Sequence, residues 1–147
     1  MRVIDGLEEM CEDVTQKMCT FLSVDRPILT SLNLEDRVCE IVAHKVMHIL
    51  GIKCKYNYKN ELIHFFASII GDVVLDRLGF RFSVAKKFRY VKYNGLNFER
   101  EISDIFFSSN SIDLAIIRSI NFLEENKKHV ADIKQALKMK FLQPVNA

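Results

Sequence analysis

Residues 60–78, NELIHFFASIIGDVVLDRL, constrain the fold more than any other stretch of this chain. At 100° per residue, Leu62, Ile63, Phe65, Phe66, Ile69, Ile70, Val73, Val74 and Leu78 cover more than half of a helical wheel. A helix that is apolar over so wide an arc must be covered on most sides. The strip left to Glu61, His64, Ser68, Asp72 and Asp76 breaks the apolar run, so the segment reads as a buried helix and not as a membrane span. The expectation is therefore a helix at the centre of a bundle, ended by Gly79.

Other segments repeat the helical period. Val3, Leu7, Met10, Cys11, Val14, Met18 and Phe21 follow three- and four-residue steps, which predicts a helix over 3–23. Asp25, Pro27 and Thr30 mark a loop over 23–31. Asn33 can cap a second helix, with Val38, Ile41, Val42, Val46, Ile49 and Leu50 as its buried stripe and Gly51 as its stop. Residues 52–59 alternate apolar and polar side chains and suit a short strand or a connecting loop. Phe98, Ile102, Ile105 and Phe106 predict a helix before the Ser108–Ser111 break. Further helices are expected over 112–124 and 128–142. We expect an all-α fold, a compact bundle of five to seven helices around the apolar helix at about 60–78. Tyr93-Asn94-Gly95-Leu96 also allows one short β-hairpin near 88–101 in place of a short helix over 83–91.

With 147 residues, two prolines and no low-complexity tract or repeat, 1–147 reads as a single helical domain. Cys11, Cys19, Cys39 and Cys54 are widely spaced with no CxxC pair, which fits free thiols in a reducing compartment. The acidic N-terminus lacks the apolar core of a secretory signal. Together these features lead us to expect an intracellular protein, cytoplasmic or nuclear, with no transmembrane segment. Charge is lopsided: residues 1–36 carry three cations and eight acids, 3 − 8 = −5, which leaves +7 on the remaining 111 residues.

The densest cationic stretch is Gly79–Gly95, GFRFSVAKKFRYVKYNG. Arg81, Lys86, Lys87, Arg89 and Lys92 lie among Phe80, Phe82, Phe88, Tyr90 and Tyr93, with no acid. Cations beside flat rings suit phosphates and bases, or an acidic partner surface. We therefore take Arg81, Lys86, Lys87, Arg89, Tyr90, Lys92 and Tyr93 as candidates for nucleic-acid or acidic-partner binding. The plain alternative is that the phenylalanines are core and the cations solvate the outer face.

Two other patterns place residues of ligating or catalytic type together. His44 and His48 are four apart, with Glu40 one turn earlier, so the three align on one helix face. They fall on the polar side of that helix, and we expect a solvated face and no metal. His64, Ser68, Asp72 and Asp76 share one helix without an oxyanion donor or a nucleophile turn, so we expect a polar seam and no enzyme. No cofactor is expected.

Ile63, Ala67, Ile70, Gly71, Asp72 and Val74 resemble the BH3 motif of the Bcl-2 family, with Ala67 where that family normally has leucine. The resemblance covers 12 residues and implies a Bcl-2-like helical regulator in which the apolar residues enter a groove and the aspartate meets an arginine. The residues themselves point first to a non-enzymatic helical protein–protein interaction module, an adaptor or a self-associating homodimer. Eleven Phe and five Met are more apolar bulk than a core of this size readily hides. A nucleic-acid-binding module is the alternative.

Overall fold

The computed structural model describes residues 2–4, 11–30, 33–53, 61–82, 92–93, 96–129, 131–132 and 135. Strand β1 is Arg2–Ile4, followed by helices α1 (Cys11–Leu22), α2 (Leu34–Leu50) and α3 (Glu61–Arg77). Strands β2 (Phe80–Phe82), β3 (Lys92–Tyr93) and β4 (Leu96–Asn97) precede α4 (Phe98–Ser108) and α5 (Ile112–Glu125). Helical backbone resumes at 127. The architecture is a compact helical bundle with two minimal strand pairs attached.

Helix α3 occupies the centre, as its wheel requires. It packs on α2, α4, α5 and β2, while α5 also reaches α1 and α2 to close the bundle. Ile63, Phe65, Phe66, Ala67, Ile69, Ile70, Val73, Val74 and Leu75 are all buried. Gly71 lets α2 approach, since a Cβ there would lie 3.0 Å from Val38 Cγ1. The polar strip is used as a seam: the Ser68 hydroxyl donates to the His64 carbonyl at 2.9 Å and lies 3.3 Å from Cys39 Sγ on α2. The apolar residues of the BH3-like pattern thus pack inside this chain's own core.

Local signals explain where the helices begin and end. Asn97 and Ser111 cap α4 and α5, accepting from the Arg100 and Leu114 amides at 3.0 and 3.1 Å. Helix α2 closes on Gly51 at φ 71°, with the Ile52 amide reaching the Met47 carbonyl at 2.9 Å. Helix α1 closes in the same way on Ser23, at φ 53°, with Val24 N donating to Cys19 O at 3.0 Å. Here a serine holds the left-handed position that glycine usually takes.

The N-terminus departs from expectation. Residues 2–4 do not begin a helix over 3–23; they form β1, parallel to β2 with Arg2 opposite Phe80 and Ile4 opposite Phe82. The β-branched Val3 and Ile4 suit a strand, and a partner distant in sequence overrides the local helical period. The hairpin alternative fares better: β3 and β4 pair antiparallel, Lys92 with Asn97 and Tyr93 with Leu96. Its second arm ends after two residues because Asn97 caps α4. The helix alternative at 83–91, most of 52–59, and the final helix beyond 135 lie outside the described residues.

Among the described residues Cys11, Cys19 and Cys39 are free thiols, all buried. No helix among those residues is long and apolar enough to cross a membrane.

Candidate functional site

Of the basic-aromatic candidates, Arg81 lies in β2, and Lys92 and Tyr93 lie in β3. Their side chains, and all of Lys86, Lys87, Arg89 and Tyr90, fall outside the described residues. The structure does describe two other surfaces.

The first is the corner between α4 and α5. Phe106 and Phe107 are consecutive, about 100° apart on the helix, and here they part ways. Phe106 is buried and Phe107 is 80% exposed. Arg77, at the end of α3, stands over the Phe107 ring at 5.2 Å and donates to the Ser103 carbonyl at 2.9 Å. From α5, Arg118 donates to the hydroxyls of Ser108 and Ser109 at 3.2 and 2.7 Å. On the same helix Leu114 and Ile117 are about 40% exposed, although Ala115, Ile116, Ser119, Ile120 and Leu123 are buried. The corner thus offers one aromatic ring and two aliphatic side chains around two anchored guanidinium groups. Sequence reading missed it, and the adjacent Phe106-Phe107 pair before the serine break was its available signal.

The second surface is a cleft of about 660 Å³ between residues 23–30 and the polar side of α2. Glu40, His44 and His48 line one wall, in the row that the spacing predicts. Glu40 corrects the expectation of a solvated face, being only 2% exposed. The loop folds over it: both carboxylate oxygens accept from the Thr30 amide, at 3.2 and 3.1 Å, and Oε1 also accepts from the Thr30 hydroxyl. His44 is half-buried and His48 exposed. Among the described residues no group of three or more His, Cys, Asp or Glu side chains could hold a metal ion.

Charge also ties the loop down. Arg26 donates to Glu12 of α1 at 2.5 Å, and Arg37 of α2 reaches the other Glu12 oxygen at 3.3 Å. The Arg26 hydrogen bond holds the Glu12 carboxyl below its ordinary value against desolvation, which pushes it up, with the charges of Arg26 and Arg37 adding to the lowering. Elsewhere Lys45, almost fully buried on α2, pairs with the exposed Asp113 of α5 at 2.6 Å.

The Ser68 hydroxyl is committed to a main-chain carbonyl, and Glu40 to Thr30. Comparison with protein-family models, with curated proteins and with solved structures returns no match for this chain.

Proposed function

We propose that the chain is a non-enzymatic, helical protein–protein interaction module that docks its partner on the α4–α5 corner. The observation that carries this reading is Phe107, an aromatic side chain 80% exposed beside the cation of Arg77. Aromatic and arginine side chains dominate the energetics of protein interfaces, and burying one such ring contributes about 2 kcal/mol. Leu114 and Ile117 extend the apolar area along α5, and the serine contacts of Arg118 hold the two helices in register. A preorganised surface of this kind loses little conformational entropy on binding.

The test is affinity capture of the full chain and of its Phe107→Glu/Ile117→Glu variant, with sedimentation equilibrium on both. Lys86→Glu/Lys87→Glu serves as the comparison. The reading expects the corner variant to lose its specific partner, or its self-association, while the lysine variant keeps it. Unchanged partners and mass in the corner variant would overturn it. Loss confined to the lysine variant, with oligonucleotide binding by the parent, would assign the interaction to the basic stretch.

A further inference from the structure

The cleft walled by residues 23–30 and the polar side of α2 is acidic. Its charged lining residues are Asp25, Arg26 and Glu40, which sum to 1 − 2 = −1 with histidine counted neutral. Arg26 already donates to Glu12 of α1 at 2.5 Å, so its guanidinium is held by an acid outside the cleft lining. Asp25 is exposed, and its carboxylate meets no partner among the described residues. Glu40 is buried in the wall and accepts from the Thr30 amide and hydroxyl, both neutral donors. Carboxylates lining a concave site attract cations and repel anions, so the chemistry that fits is cationic.

Size and lining narrow the cation. The cleft holds about 660 Å³, within the roughly 300–1,000 Å³ typical of organic ligand sites and far more than a bare ion fills. His44 and His48 stand one turn apart on α2 in its wall, and neither ring has a hydrogen-bond partner among the described residues. A guanidinium is planar and weakly hydrated, stacks on flat rings and forks onto a carboxylate, whereas an ammonium is a point charge that keeps its water. Val24, Pro27 and Ile28 line the same cleft, and Ile28 is 93% exposed, which leaves apolar area for an aliphatic stem to cover.

We infer that the cleft between residues 23–30 and α2 is a binding site for a guanidinium group on a short aliphatic stem. The guanidinium pairs with the Asp25 carboxylate and lies against the imidazoles of His44 and His48. Its stem covers Val24 and Ile28, and Glu40 adds negative charge from the wall. The same group is carried by a free alkylguanidine and by an arginine side chain of another protein, and the site recognises what the two share. It stands apart from the α4–α5 corner and does not depend on it.

The experiment is a nitrogen-15 NMR titration of the full chain with two probes, butylguanidinium and acetyl-arginine-amide. Saturable shifts are expected at amides within 24–30 and at the rings of His44 and His48. Tighter binding of the first probe assigns the site to a free small molecule, and tighter binding of the second to an arginine of a partner chain. Acetyl-citrulline-amide, the neutral isostere of the second probe, should bind about fivefold more weakly, and so should the parent probe to Asp25→Asn. His44→Ala/His48→Ala should weaken binding about threefold by removing the stacking faces. Shortening butylguanidinium to methylguanidinium should weaken it about tenfold, the effect of three half-buried methylenes. Phe107→Glu should leave the titration unchanged. Shifts centred elsewhere, equal affinity for the citrulline probe, or no shift with either cation at tens of millimolar would overturn the inference.

Discussion

Gly71 offers a test of how α2 and α3 are packed. In a helix interior, Gly→Ala normally stabilises by about 1 kcal/mol. Here the new Cβ would lie 3.0 Å from Val38 Cγ1 and 3.7 Å from Val42 Cγ2. The first distance is about half an ångström inside the optimal carbon–carbon separation. Val38 cannot turn away, because a β-branched residue in a helix has essentially one rotamer. Relief must come from the helices moving apart, which loosens the buried Val42, Ile70 and Val74. Overpacking of this kind costs about 1–3 kcal/mol, so Gly71→Ala should destabilise by about 1 kcal/mol net. In a Val38→Ala background the obstructing methyl is gone and the same substitution should instead stabilise by about 1 kcal/mol. The coupling in the double-mutant cycle is then about 2 kcal/mol. Urea unfolding followed by far-UV circular dichroism measures all four proteins. A coupling below about 0.5 kcal/mol would mean that α2 and α3 do not meet at this glycine.

Ser23→Gly should stabilise by about 0.5–1 kcal/mol, because the left-handed backbone that costs serine is free to glycine; destabilisation in thermal melts would refute the Ser23 turn. Asp113→Asn should cost about 1–3 kcal/mol by stranding the buried Lys45 ammonium, whereas Lys45→Met leaves only a carboxylate that water can reach. The reverse order of losses in denaturant titrations would show that the pair is not built this way. Glu12, held below its ordinary value of 4.5, adds stability that is fully present above that value and is lost as pH falls through the lowered folded-state value. The parent should therefore be more stable than Glu12→Gln at pH 7, with the two converging in acid; parallel stability profiles would exclude the Arg26–Glu12–Arg37 contacts.

How legible each part was depends on the distance over which its cause acts. Helices α2 and α3 are written locally, in an unbroken period with Asn33 before one and a glycine after each. The two serine- and asparagine-capped helices are likewise local. Strand β1 has its partner at residues 80–82, so its own neighbours carried only a helical period. Glu40 shows the same limit at a single residue. Its place beside His44 and His48 followed from spacing, but its burial depends on a loop ten positions upstream folding back through Thr30. The Phe106-Phe107 pair was visible in the sequence, but not that Phe107 would leave the core, since the adjacent Phe65 and Phe66 of α3 are both buried.

The parallel pairing of β1 with β2 joins positions 78 apart, 80 − 2, and so has a consequence for the order in which the chain is made. When α1 and α2 emerge during synthesis, the partner of residues 2–4 has not yet been translated. The N-terminal strand can dock only after α3 and β2 are complete, and the entropy of closing so long a loop opposes it until then. Helices formed early are held by neighbours close in sequence, and residues 2–4, made before those helices, are fixed after them. A bulky insertion next to Arg2 would therefore act on that late step and leave the earlier packing of α1 on α2 intact.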